Sequence, residues 1–525
     1  MKRLFRFIVC IYLVIPSACA KGEKISVINY QDLFTGITTP APDELSMDVL
    51  RSYPVFKTIY HDGFDRIDTL PLNSKGEVLA YYVIANDTIL SDNAYKQNRA
   101  ISYREIKSIG NDMHIGVKRN EHGEFVSYNH GGKGIKERIM KVIDTKRCNY
   151  GILLKKSSLK KTDAKAAFRI KDIDNFYYVR IYNRQISLTL VEKGKLYVKK
   201  RIKCEKEGPC FFLLQDDMLY FYCNWRLIGR CRVEKYADAT MCGLYFDGQE
   251  NSEVDDFVVN YLSHRNESKI DDICESGVFA PCEAFSIGAE KNMITASDKH
   301  TNGSKYAIRY ELNYHEDWEN HKIGYSRRSE IGAKAPYATP LDSWIYSFDI
   351  YFPGRHDGNE YYEKDLLEEL FWQSHDSNAG WGLSPHVALY LKDDKIRLHT
   401  LSRAVLRYDK IDVHSSSYFT KSKGIVAILT DSIDTDSDDL QLRKGEWHRF
   451  TLYVKEGYNE SHLPRTILYI DNIKVADWFH PNAYNCGQNA EYVQMGIYKW
   501  PWATDSLHSD VRRRILYYDN IIYER

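Results

Sequence analysis

Net charge of either sign is missing from this 525-residue chain: 72 Lys and Arg balance 72 Asp and Glu. That balance removes the overall field by which a protein gathers nucleic acid or an anionic membrane, though a local basic cleft for an acidic polymer stays open. After the first 20 residues no apolar run is long enough to cross a bilayer as a helix. Helical periodicity is scarce, which excludes a bundle. Low-complexity tracts are absent. No cysteine spacing matches a zinc motif, so no metal site and no cofactor is expected from pattern alone. Nine cysteines follow Cys19. Cys204 with Cys210, and Cys274 with Cys282, stand close enough for local disulfides in an oxidising compartment.

The beginning of the chain, "MKRLFRFIVCIYLVIPSACAKGEK", runs from basic residues through an apolar stretch to small ones. This is the pattern of an export signal, residues 1–20, and it stays outside fold reasoning. Ala18-Cys19-Ala20 suits cleavage after Ala20, whereas Ser17-Ala18-Cys19 resembles a bacterial lipoprotein site with Pro16 out of pattern. The expectation is an exported protein of the bacterial periplasm or surface, with a lipid anchor through Cys19 left open.

What is abundant is tyrosine, 40 residues, in short alternating runs punctuated by Gly, Asn and Asp. Aromatic and β-branched alternation suits pleated sheets. In Ala166–Ile202, Lys171–Asn175 and Glu192–Lys195 read as hairpin turns. One order of elements occurs twice. "MLYFYCNWRLIG" precedes "MCGLYFDG" and "DDFVVNYL"; later "ILYIDNIKVAD" precedes "QMGIYKW" and "YYDNIIYER". We therefore expect an all-β chain of two tandem β-sandwiches, jelly-roll and concanavalin-like. The first spans 60–264 and the second 274–525. A polar linker, 265–273, joins them, and residues 21–59 form an arm on the first.

Three stretches of the second half carry side chains suited to chemistry. In "EYVQMGIYKW" (Glu491 to Trp500) Val493, Met495 and Ile497 alternate with Tyr492, Gln494, Gly496 and Tyr498. In "GYSRRSEIG" Arg328 and Glu330 share a face. In "LFWQSHDS" Gln373 and His375 share one, against Trp372 and Ser374. Arginine, amide, imidazole and phenol meet if these strands line one concave sheet. Each also has an ordinary reading: a sheet histidine, a surface ion pair of little worth, and a tyrosine matched by Tyr245 in the first half.

These motifs, with "SFDIYFP" and "GEWHRFTLYVK", resemble in order those of the jelly-roll polysaccharide lyases, especially the heparin lyase I-like group. The resemblance implies an acidic polysaccharide as partner and β-elimination at a uronate. It assigns Arg328 and Gln373 to neutralising the carboxylate, His375 to the base, and Tyr498 to the acid or to both proton transfers. Gln494, Lys499, Trp500, Trp381 and Glu330 are the substrate-binding candidates, although strand alternation turns Lys499 away from Tyr498. The departure is Gln494, where the family strand usually carries lysine. A glycan-binding protein on a degenerate lyase scaffold is the alternative. "DSIDTDSDD" (Asp431 to Asp439) is rich in calcium-type oxygen ligands but lacks a known loop spacing. Arg512-Arg513-Arg514 offers local positive charge for the polymer. The first half has neither Arg-Ser-Glu nor Gln-x-His and reads as a non-catalytic laminin-G-type sandwich.

Overall fold

The computed structural model describes residues 47–52, 55–62, 82–85, 88–89, 115–119, 125–129, 139–156, 163–204, 208–246, 253–265, 267–269, 285–287, 294–301, 303–314, 328–334, 341–376, 384–402, 420–484, 491–503 and 509–525. The leader, Cys274, Cys282 and Trp381 lie outside them. Among the described residues no helix is long and apolar enough to cross a membrane.

Among the described residues the strands form four sheets of eight. The hairpin turns expected at Lys171–Asn175 and Glu192–Lys195 join Ala164–Asp172 to Asn175–Tyr182 and Gln185–Glu192 to Lys195–Lys203. Two of the sheets enclose a core containing Phe168, Leu188, Phe212, Leu244 and Phe257. The other two enclose one containing Trp344, Phe348, Trp372, Met495 and Tyr518. Each large buried side chain contributes roughly 1.5–3 kcal/mol by leaving water.

The repeated element order is a repeated topology. The hairpin of Met218–Cys223 and Arg226–Arg232 ends one sheet, Met241–Phe246 lies inside the facing sheet, and Glu253–Ser263 returns to the first. Arg465–Ile470 and Ile473–Trp478, Glu491–Tyr498, and Arg513–Glu524 do the same in the second sandwich. Met241–Phe246 runs between Ile139–Asp144 and Ala164–Asp172; Glu491–Tyr498 runs between Arg328–Lys334 and Glu369–Asp376. In register, Tyr245 faces Met140 and Gly243 faces Val142, where Tyr498 faces Arg328 and Gly496 faces Glu330.

The segment before the first sandwich departs from expectation. Val55–Asp62 is itself a strand of that sandwich, paired with Glu253–Ser263. The helix Met47–Ser52 packs on the second sandwich, not the first: Leu50 is buried against Ile345, Tyr453 and Ile467, and Arg51 pairs with Glu524 at 2.7 Å. The halves meet over an apolar patch that brings Phe56, Leu153 and Trp225 to Leu341 and Leu463. Polar contacts edge it. The Thr58 N–H and hydroxyl donate to Asp342 (2.7 and 3.1 Å), and the Trp225 indole donates to the Ser461 carbonyl at 3.2 Å.

The expected Cys204–Cys210 bridge is not formed. Both thiols are free and buried, and Cys223 joins them, because Cys210 and Cys223 are cross-strand partners. Cys148 is disulfide-bonded. Arg513 and Arg514 are not spare positive charge either: they pair with Glu311 (2.8 Å) and Glu369 (2.9 Å). In the acidic loop, Asp431 accepts from Tyr361 at 2.7 Å, and the Asp434 carboxylate caps the Asp436 N–H at 3.0 Å.

Gly496 separates the two versions of the motif. Its φ is +134°, and a Cβ there would lie 2.1 Å from the Ser329 carbonyl oxygen and 2.8 Å from the Glu330 Cα; Gly243 has no positive φ. Gly496→Ala is therefore expected to lower unfolding stability by roughly 3 kcal/mol or more, from backbone strain plus overpacking. Gly243→Ala is expected to cost clearly less. Denaturant unfolding of both variants checks the difference.

Candidate active site

Strand pairing sets the site residues in two rows across one face of the inner sheet. The first row is Arg328, Tyr498, Leu370, Tyr390, Arg397 and Ile425. The second is Gly332, Gln494, Gln373, Ala388, His399 and Lys423. Glu330 stands between the rows opposite Gly496, and His375 lies one step beyond Gln373. Val493, Met495 and Ile497 go the other way, into the core, as the alternation requires.

The polar groups form one connected network. Arg328 Nη1 donates to Gln494 Oε1 at 3.1 Å and lies 3.4 Å from Glu330 Oε2. Gln373 Nε2 donates to Glu330 Oε1 at 2.8 Å and to Gln494 Oε1 at 3.0 Å. With its NH2 so used, Gln373 presents its oxygen to His375, and Nε2 of that ring donates to it at 2.9 Å. A neutral imidazole then carries its lone pair on Nδ1. The ring is held neutral. Burial, then the adjacent His386 and Arg328, push its pKa down to about 3. Tyr498 is half-buried with the Arg328 guanidinium 3.6 Å over its ring. A cation thus stands beside the phenol without the family lysine.

The expected site residues lie at different depths. Gln373 is fully buried, and both its amide protons are committed to Glu330 and Gln494. Glu330 is also fully buried. It is held in the network by Gln373 and Arg328. Lys499 is buried on the far side, its ammonium 2.9 Å from Asp365 and 2.7 Å from Glu369. Those carboxylates exclude it from substrate binding. Gln494, 1 % exposed, spends its oxygen on Arg328 and Gln373, leaving its NH2 as the remaining donor. Trp500 is half-buried beside Tyr498 and Tyr390, at ring separations of 5.5 and 5.8 Å. Trp502 is buried, edge-on to Tyr314.

Four neighbours on the same face escaped sequence reasoning: Tyr390, Arg397, His399 and Lys423. Lys423 Nζ lies 2.7 Å from Glu368 and 5.3 Å from the Tyr390 ring. Their signal was the alternation of "KIRLHT", which puts Arg397 and His399 on one face, but nothing local says that this face borders Tyr498.

Burial pushes the Glu330 carboxyl up to about 7, against Arg328 and the Gln373 amide, which pull it down. A carboxyl raised on folding adds stability that is fully present below its unfolded value near 4.5 and is lost as pH rises through about 7. Glu330→Gln is expected to abolish this loss, of roughly 2–3 kcal/mol, between pH 4.5 and 7. Urea melts of both proteins across that window measure it.

Residues 274–522 match the family model for polysaccharide lyases. No curated protein matches the chain. Among solved structures, an endo-β-1,4-glucuronan lyase from the fungus Trichoderma reesei aligns at 12 % identity and TM-score 0.36, over 50 % of this chain and 94 % of that one. The alginate lyase vAL-1 from Chlorella virus aligns at 9 % identity and TM-score 0.30, over 49 % and 98 %. A carbohydrate-binding module from Bacillus subtilis aligns at 14 % identity and TM-score 0.19, over 28 % and 89 %.

Proposed function

We propose that this chain, whose residues 274–522 form a polysaccharide lyase domain, is exported and cleaves a uronate-containing glycan by β-elimination on the inner-sheet face. The observation that carries the reading is the convergence of Arg328, His375 and Tyr498 around one buried amide-carboxyl network, with a cation on the phenol. The basic, apolar, then small-residue leader supports export.

A uronate lyase removes the proton alpha to the sugar carboxylate, at C5. The C4–O4 bond then breaks, a C4–C5 double bond forms, and O4 leaves with a proton. While the carboxylate is anionic, charge building up on it opposes the first step. Arg328 supplies a fixed fork to neutralise it, and the remaining Gln494 NH2 is a second donor. His375, held neutral, accepts the C5 proton, and Tyr498 protonates O4. Each transfer is commonly worth roughly 10²–10⁴ in rate. Tyr390, Trp500, Arg397 and Lys423 continue the face with rings and cations suited to the rest of an acidic chain.

Absorbance of unsaturated products from heparin, heparan sulfate, alginate and glucuronan tests the activity. Turnover is expected on at least one polymer. Tyr498→Phe and His375→Ala are each expected to lower kcat by roughly 10²–10⁴-fold without unfolding the protein. Silence across the panel, with binding retained, would instead establish a glycan-binding protein on a lyase scaffold. Gln494→Lys is expected to lower kcat/KM. It sets an ammonium against Arg328 and removes the acceptor that Gln373 uses. Steady-state kinetics on the best polymer decides, and increased turnover would sink this account of the amide.

A further inference from the structure

Away from that face, the junction between the sandwiches encloses a group of side chains that the lyase reading leaves unused. His61 comes from the strand Val55–Asp62 and Asp256 from Glu253–Ser263, both in the first sandwich. His462 comes from the second, at the end of the short turn Glu460–His462. The turn is set by Asn459, whose side chain accepts from the Ser461 N–H at 2.9 Å, and by a left-handed Leu463. All three are buried, at 2, 2 and 0 % exposure.

Both imidazoles aim Nε2 at the same carboxylate. His462 Nε2 lies 2.5 Å from Asp256 Oδ2, and His61 Nε2 lies 3.6 Å from Asp256 Oδ1. His61 Nε2 also lies 2.7 Å from the Tyr458 hydroxyl. Nδ1 of each histidine and Oδ1 of Asp256 are buried with no hydrogen-bond partner among the described residues. Lys455, a neighbouring cation, spends its ammonium on the His462 carbonyl at 2.9 Å rather than on the carboxylate. A buried carboxylate faced by two imidazole Nε2 atoms, with its Oδ1 left without a hydrogen bond, is a ligand set able to hold a cation.

We infer that His61, Asp256 and His462 form an inter-sandwich site for a divalent transition-metal ion, with zinc the best match to two imidazole nitrogens and a carboxylate. One potential ligand atom from each residue lies within 4.8 Å of the others. Two ligands about 2.0–2.1 Å from a tetrahedral zinc stand about 3.3 Å apart. The short His462–Asp256 contact would open, and the longer His61–Asp256 contact close slightly, around the ion. Water or the Tyr458 hydroxyl occupies the fourth place. Since the ligands come from both sandwiches, the ion ties the halves together and its binding energy adds to the stability of the whole.

The test uses the full chain, stripped with a chelator, reloaded with zinc or cobalt and passed through gel filtration. One equivalent of zinc per chain is expected, with a rise in Tm that the chelator reverses. Cobalt is expected to give the visible bands of a tetrahedral nitrogen-oxygen site. His462→Gln and Asp256→Asn are each expected to weaken zinc binding by roughly 100-fold or more. Near-ultraviolet circular dichroism verifies that both variants fold. Cys204, Cys210 and Cys223 form another buried group of potential ligands. A thiolate-to-cobalt band lost in Cys210→Ser would assign the ion to that group and overturn the proposal. So would a chain that keeps no zinc, or a cobalt spectrum unchanged in His462→Gln. Either result would make the three residues a hydrogen-bonded junction only.

Discussion

A carboxyl group removed from water must be satisfied by its surroundings, and the site is organised around that demand at Glu330. The Gln373 amide turns its NH2 toward Glu330, which leaves its oxygen for His375 and decides which imidazole nitrogen holds the proton. Gln494 accepts the second Gln373 proton and also holds Arg328. Arg328 in turn lies over Tyr498. Arg328, His375 and Tyr498 are thus positioned by buried groups. In a fully buried network, one wrong member leaves a donor or acceptor orphaned at a cost of about 1–3 kcal/mol.

The same constraint explains why one of two similar sandwiches carries a site. In the first, Tyr245 occupies the position of Tyr498, but Met140 and Val142 stand where the second has Arg328 and Glu330. Met241 pairs with Ile170 across the neighbouring strand, and Val142, Ile170, Phe176, Tyr178 and Tyr245 pack together as a cluster. An apolar face asks for no network and offers none. Gly496, pressed against the Ser329 carbonyl and the Glu330 backbone, holds the two site strands closer than a side chain permits. Gly243 has no positive φ. The Gly-apolar-Tyr pattern therefore belongs to the architecture, and the polar residues across from it make the site.

Much of this was legible before any coordinates. Period-two alternation sorted Val493, Met495 and Ile497 from Gln494, Gly496 and Tyr498, because successive side chains of a strand must take opposite faces. It also paired Arg328 with Glu330 and Gln373 with His375. Alternation was silent on depth. Gln373 and Glu330 proved to be buried supports, and Lys499 proved to be one member of an ionic group with Asp365, Glu369 and Arg514. Nor did spacing along the chain show that Cys223 would join Cys204 and Cys210, or that the helix Met47–Ser52 would cross to the second sandwich.

Local chirality and a two-residue period are enough to set the strand pattern, the doubled architecture and the face on which each candidate residue lies. Only the tertiary structure decided which faces adjoin, which polar groups are cut off from water, and where a missing charge is made good. Arg328 lies over Tyr498 because strand register pairs the two residues. His61, Asp256 and His462 meet because two separate sandwiches close on one another. Register and closure are long-range, and no local pattern encodes them.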